Sequence, residues 1–343
     1  MKSERGFIFV YRKYILYVRR ILMEPIFLTQ YFRPKIWGGR KLDTIFHYDI
    51  PEGKVGEAWI ISGYKDDAST VTAGPLKGKS LRDVYHEHPE LFGNPKAKEF
   101  PLLVKFLDAN DNLSVQVHPD DDYAAKVEHD SGKTESWYVM QADPGAYLIY
   151  GHHAKTREEL ADMIHKGEWD KLLRKVPIKA GDFFYVPAGT IHALTKGSLV
   201  IETQQSSDVT YRLYDYDRVD KKTGKKRELH TQKSIDVTTV PHVDPKLNVH
   251  TDKDQDASIK TLVEPPISPH FYLWQIDLDG TWKSSLKNHP YLLVSVIKGS
   301  GKLEADGQSW DLKLGTNLII PDQMKNFALT GKMRIIMSAP GEE

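Results

Sequence analysis

The chain has 343 residues, 47 basic against 47 acidic side chains, a formal charge of +0 and no cysteine. Without a net charge or a long basic run it carries no electrostatic footprint for nucleic acid. The missing cysteines exclude disulfides, iron–sulfur clusters and thiolate metal sites, so a metal must sit on histidine, carboxylate or amide oxygen, and a reducing cytoplasm is the expected location.

The opening segment 1–22, MKSERGFIFVYRKYILYVRRIL, holds six cations against Glu4 alone. Arg12–Lys13 and Arg19–Arg20 cut its apolar runs well below the roughly 20 residues that span a bilayer. No small-residue cleavage site follows and Met23 offers a second start, so residues 1–22 are expected outside the fold, with no stable membrane insertion. From MEPIFLTQYF onward, short strands punctuated by glycine and proline predict a mainly β sandwich or barrel. Two helical patterns interrupt it. KSLRDVYHEHPELFG places Leu81, Val84, Tyr85 and His88 at helical spacing after Ser80 as cap. KTREELADMIHKG sets Thr156 and Glu159 as a capping box, Leu160, Met163 and Ile164 as one apolar face, and Gly167 as terminator. This second helix reads as an insertion in a β domain.

In LSVQVHPDD, strand alternation sends Ser114, Gln116 and His118 to one face and Val115 and Val117 to the other. GKTESWYVM puts Lys133 and Glu135 together after a loop long enough for a short helix at DDDYAAKV. His192 follows, at the start of a strand beyond the proline–glycine turn of VPAGTIHAL. A single histidine among 14 is an ordinary core or surface residue. Two histidines and a glutamate at strand ends, with an amide nearby, are the donor set of a catalytic zinc with a position left for water or substrate. Iron and manganese use the same donors. VTYRLYD places Thr210, Arg212 and Tyr214 on one face. Proline, aspartate and lysine between 241 and 270 predict a connection between halves. The intervals of Gly181, Pro187 and His192 recur at Gly315, Pro321 and Asn326, which predicts two related barrels, the second with asparagine in place of the histidine.

Together, YFRPKIWGGRKL, GEAWIIS, FPLLVKFLDANDNLSVQVHPDD, GKTESWYVM, GDFFYVPAGTIHAL and VIETQQSSDVTYRLYDYDR resemble the type I mannose-6-phosphate isomerases of the short bacterial kind. The resemblance runs from about Met23 to the C-terminus and is most specific in QVHP, GKTE and PAGTIHAL. It implies a double cupin, two jelly-roll β-barrels with a helical insertion, divided as an extension 1–22, a catalytic cupin domain 23–255 and a second cupin barrel 256–343 without the metal site. It implies one zinc per chain on His118, Glu135 and His192, with Gln116 where some members add an amide ligand and others carry lysine. The implied reaction interconverts mannose 6-phosphate and fructose 6-phosphate through a cis-enediol, with a small sugar phosphate as the partner, no nucleic acid, and a monomer or homodimer as the assembly. Arg212 matches the family's active-site arginine, suited to stabilising charge. Lys133 and Glu202 are both candidates for proton transfer, and the sequence does not choose between them. Trp37 and Glu57 match pocket positions, Ser114 and Gln116 face the same cavity, and Arg218 is a further expected phosphate contact. Two other readings fit these donors: a cupin-type metal-dependent oxidoreductase and a non-catalytic sugar-binding cupin.

Overall fold

Strands dominate because β-branched and aromatic residues recur between glycine and proline turns. The computed structural model describes residues 24–219, 224–286 and 288–341, so the expected extension 1–22 lies outside the described residues. The chain folds into two compact units, each discontinuous in sequence. One gathers 31–59 and 102–247; the other takes 60–101 and 248 onward, together with residues up to Gln30.

The first unit contains two sheets. A six-stranded sheet runs in the order Tyr31–Gly39, Val55–Ser62, Leu102–Ala109, Ser198–Gln205, Glu135–Ala142, Phe183–Val186. A five-stranded sheet runs Tyr211–Tyr214, Val115–Val117, His192–Leu194, Tyr147–His152, Leu173–Pro177. Strand Ser198–Gln205 has neighbours on both sides and every residue buried, which is why SLVIETQQ reads as an unbroken run and not as an alternation. Val115, Val117, Ile149 and Ala193 of the five-stranded sheet pack against Leu160 and Ile164 of helix Arg157–His165 and Ile235 of helix Thr231–Val237. Leu148, Tyr150 and Leu194 on its other face meet Leu107, Trp137, Val139 and Val200 of the six-stranded sheet. The layers are therefore helix, sheet, sheet, and the polar residues of interest lie between the sheets.

Helix Arg157–His165 starts as expected on Thr156, whose hydroxyl accepts from the Glu159 amide at 3.2 Å. The reciprocal bond of the box is displaced by one residue: Glu159 Oε2 accepts from the Lys155 amide at 2.6 Å. Gly167, at φ 66°, ends the segment. In the second unit, helix Leu81–Glu87 starts on Ser80 and stops one residue before His88.

The second unit is built on an eight-stranded antiparallel sheet in the order Ile26–Phe27, Asn317–Ile320, Leu292–Ala305, Ala328–Pro340, Phe271–Lys283, Ala257–Val263, His250–Asp254, with Gln308–Lys313 also paired to Leu292–Ala305. Trp274, Ile276, Trp282, Val294, Leu329 and Ile335 are part of its core. One expectation changes. HTDKDQDAS is not a plain connection but a hairpin, His250–Asp254 paired with Ala257–Val263 around Gln255 at φ 55°. Its outer strand is an exposed sheet edge and needs no apolar face, so it carries no hydrophobic alternation. Position 255 lies in that turn, and the units change over between Leu247 and Asn248.

The repeated intervals have a structural counterpart. Gly181 and Gly315, at φ 93° and 84°, each precede by two positions a four-residue strand, Phe183–Val186 or Asn317–Ile320, that a proline ends. The hydrogen-bond ladders form open sheets. Among the described residues no helix is long and apolar enough to cross a membrane.

Candidate metal centre and active site

Two cross-strand rows of polar side chains create the site. On the five-stranded sheet Arg212 and His192 are both register partners of Gln116, and Tyr150 continues the row beyond His192. On the facing sheet Glu202 lies between Lys105 and Trp137. Directly opposed residues of antiparallel strands share a face, so these distant segments deliver their side chains to one interior. A register shift between Arg212 and Tyr214 breaks the alternation. Tyr214 consequently stacks on Trp169, ring centroids 4.5 Å apart, and leaves the face that strict alternation gave it.

His118, Glu135 and His192 converge, all three buried. His118 Nε2 is 3.4 Å from Glu135 Oε2, and His192 Nε2 is 3.2 Å from Glu135 Oε1. Donors held at ~2.0–2.1 Å by a tetrahedral ion stand ~3.3–3.4 Å apart, so the spacing matches one. His118 Nδ1 lies 2.8 Å from the Val209 carbonyl oxygen and His192 Nδ1 lies 2.8 Å from that of Thr190. A carbonyl only accepts, so each Nδ1 carries the proton and each Nε2 turns its lone pair toward Glu135. Burial, helped by the charge of Lys133, lowers the His118 pKa to about 3. Burial lowers that of His192 as well. Both rings are therefore neutral, as metal ligands must be.

Neither carboxylate oxygen of Glu135 receives a hydrogen bond, although both are buried. Lys133 Nζ stands 2.9 Å from Oε2 as an ion-pair partner and 3.1 Å from His118 Nε2. Beyond the Lys133 ammonium, no donor enters the space where the Glu135 oxygens and the two inward-facing imidazole lone pairs converge, so this donor set fits a divalent metal. The Gln116 amide nitrogen lies 3.3 Å from His192 Nε2. A half-turn of the amide exchanges its two ends, and only the oxygen is a metal donor.

Trp37, Glu57, Ser114, Gln116, Lys133, Glu202 and Arg212 all line one cavity of about 290 Å³. Arg218 is not in that lining: its guanidinium donates to Asp215 Oδ1 and to the Asn112 carbonyl, each at 2.5 Å. The sequence reading missed Lys35, Lys105, Asp208 and Arg227, which do line it. A lysine inside the apolar run LLVKFLDA was the available signal for Lys105, since a cation buried in a central strand needs a partner. That partner is Glu202, 3.1 Å away, with Gln204 Oε1 at 2.5 Å. Glu202 Oε2 also accepts from Trp137 Nε1 at 2.8 Å. Burial and the charge of Glu135 raise the Glu202 pKa against the pull of Lys105. For Lys133 burial works against the charge, but Glu135 and Glu202 outweigh it and raise the pKa, so the amine is an ammonium. Arg212 donates from Nη1 to the Glu228 carbonyl at 2.8 Å, while its buried Nε has no partner. Burial and the neighbouring Arg227 weaken its hold on the proton, though a guanidinium stays charged in any aqueous range.

Residues 26–170 match the family described as phosphomannose isomerase type I, catalytic domain, and residues 261–340 match the mannose-6-phosphate isomerase cupin domain. A mannose-6-phosphate isomerase of Streptococcus mutans serotype c is 48% identical over 321 residues, 94% of this chain and 100% of that protein. The mannose-6-phosphate isomerase ManA of Bacillus subtilis is 45% identical over 317 residues, 92% of this chain and 98% of that protein. The crystal structure of the mannose 6-phosphate isomerase from Bacillus subtilis superposes with a TM-score of 0.89 at 45% identity, covering 92% of this chain and 99% of that one. With likeness of this degree along nearly the whole of both chains, the chain belongs to the type I phosphomannose isomerase family.

Proposed function

We propose that this chain, an aldose–ketose isomerase of mannose 6-phosphate, forms fructose 6-phosphate through a cis-enediol at a single zinc held by His118, Glu135 and His192. The observation carrying this reading is the pair of imidazoles turned Nε2-inward on the buried Glu135 carboxylate, with donor atoms at metal-ligand spacing. Zinc suits nitrogen and oxygen donors with an open position, and when bound it supplies Lewis acidity toward a sugar oxygen without redox change. Gln116 adds a weaker amide-oxygen donor to this set after a half-turn of its side-chain amide. A proton must leave C2 and arrive at C1, and Glu202 or Lys133, both lining the cavity, is the candidate for that transfer, Lys133 only once it has given up the proton that Glu135 and Glu202 help it hold. Arg212, its Nε without a partner, stabilises the charge that develops on the enediol oxygens. Trp37 offers an apolar face to the sugar ring, and Glu57 and Ser114 offer polar atoms to its hydroxyls.

The fold within this reading is a double cupin, supported by the recurrent glycine, strand and proline pattern in the two halves. All named site residues fall in 23–255, the catalytic cupin domain, whereas the second barrel, 256–343, has Asn326 at the position of His192 and no zinc. Residues 1–22 are dispensable, the location is cytoplasmic, and the assembly is a monomer or homodimer.

Purified protein, assayed for fructose 6-phosphate formation with no added oxidant and analysed for metal, tests the proposal. Iron-loaded protein that consumes oxygen and fails to isomerise would replace it with the oxidoreductase reading. Metal-loaded protein that binds the sugar phosphate without turnover would leave a binding cupin.

A further inference from the structure

Charges around the cavity are unevenly paired. Lys35 stands 2.8 Å from Glu57, Lys105 3.1 Å from Glu202, Lys133 2.9 Å from Glu135 and Arg33 2.8 Å from Asp208, one cation to each carboxylate. Beside Arg212 the balance fails. Arg212, Arg218 and Arg227 gather near a single buried carboxylate, Asp215. Asp215 Oδ1 accepts from Nη2 of both Arg218 and Arg227 at 2.5 Å, and Oδ2 accepts from Arg227 Nε at 2.8 Å. Asp111 is 3.9 Å from Arg218, with a side chain 52% exposed, and Glu228 is exposed, so water screens both. This end of the cavity therefore keeps a surplus of positive charge.

The two-point grip on Arg227 uses Nε and Nη2 and leaves Nη1 without a partner among the described residues, in a side chain that lines the cavity. A phosphate monoester carries about −1.5 to −2 charge at neutral pH and takes guanidinium donors well. A guanidinium already fixed by a carboxylate loses less freedom on binding than a free one.

We propose that Arg227, fixed by Asp215, anchors the phosphate of the substrate and selects phosphorylated over unphosphorylated aldoses, with Asp215 as its positioning residue. This rests on the sugar-phosphate reading above. Asp215 does not itself meet the ligand: it is buried, and both of its oxygens are occupied by arginine donors.

The test uses the full chain and its Arg227→Gln, Arg227→Lys and Asp215→Asn variants. Metal content, KM and kcat for mannose 6-phosphate, and inhibition by inorganic phosphate are measured. Arg227→Gln should keep its metal, raise KM at least about 10-fold with kcat within a few-fold, and weaken phosphate inhibition by a similar factor. Lysine should restore part of both losses, and Asp215→Asn should move KM the same way by a smaller factor. Unchanged KM and unchanged phosphate inhibition in Arg227→Gln would overturn the anchor. A kcat loss at constant KM in Asp215→Asn would overturn the positioning role. If glutamine or asparagine prevents folding, Arg227→Lys decides by the same two readouts. If the wild type does not isomerise mannose 6-phosphate, the functional reading falls separately, and a phosphorus NMR titration of wild type and Arg227→Gln with inorganic phosphate still decides the anion site.

Discussion

His118 Nδ1 lies 2.8 Å from the carbonyl oxygen of Val209, and that contact decides which nitrogen of the ring faces Glu135. Val209 stands two residues before strand Tyr211–Tyr214, so one short segment both orients an imidazole of the candidate metal centre and carries Arg212. His192 is fixed in the same way by Thr190. The orientation of both rings is thus set by backbone carbonyls.

Each of His118→Ala, Glu135→Ala and His192→Ala should lower the zinc content measured on purified protein, because each removes a donor. Gln116→Ala should lower it less. Full occupancy in all three ligand variants would reject the assignment.

Chelation should abolish isomerase activity and also lower the thermal midpoint. The three donors converge only in the folded chain, so an ion bound to the folded state stabilises that state. A midpoint unaffected by chelator, in protein shown to have lost its metal, would contradict this.

Legibility from sequence followed the regularity of the backbone. Gln116 and His118 were readable because Val115 and Val117 alternate with them, and Ser80 and Thr156 because a side-chain cap has a local signature. Lys105 was hidden within an apolar strand, since its partner Glu202 is 97 positions away and becomes a neighbour only through sheet register. Arg227 was hidden for a related reason: its place depends on where the chain returns after Asp215. The register shift beside Arg212 and the polar edge strand His250–Asp254 each break the periodicity on which such reading depends.

Stability should depend on acid through Glu57. Burial opposes its charge, but Lys35 and Lys105 outweigh that and bring its pKa from 4.5 to about 2. A depressed carboxylate stabilises the fold fully above its unfolded pKa and loses that contribution as pH falls through the folded value. The difference in unfolding free energy between wild type and Glu57→Gln, of order ~3 kcal/mol near neutrality, should shrink as pH drops from 4.5 toward 2. Urea unfolding of both proteins across that range measures it, and a constant difference would remove Glu57 as the source.

Thr156→Ala should destabilise without touching chemistry. It deletes the acceptor for the Glu159 amide at the start of a helix that covers the outer face of the five-stranded sheet. The expected cost is about 1 kcal/mol, seen as a lower urea midpoint, with kcat/KM unchanged. A fall in kcat/KM would mean that this helix helps to shape the cavity.

Arg212 is the residue on which charge stabilisation and metal binding should separate. It lines the cavity, donates only to the Glu228 carbonyl and keeps a buried Nε without a partner, and no carboxylate stands within ion-pair distance of it among the described residues. A surface or core ion pair would have taken up those donors; Asp208 pairs instead with Arg33, and Asp215 with Arg218 and Arg227. Removing the guanidinium should therefore leave the metal content proposed for His118, Glu135 and His192 unchanged while turnover falls by roughly 100-fold or more, the scale for losing a preorganised partner of a developing oxyanion. Arg212→Lys should recover only part of that loss, because an ammonium restores the charge without the fork. Folded, zinc-loaded Arg212→Ala protein with near-wild-type kcat would sink the role, and loss of zinc in that variant would show that the arginine supports the ligand strands and not the reaction.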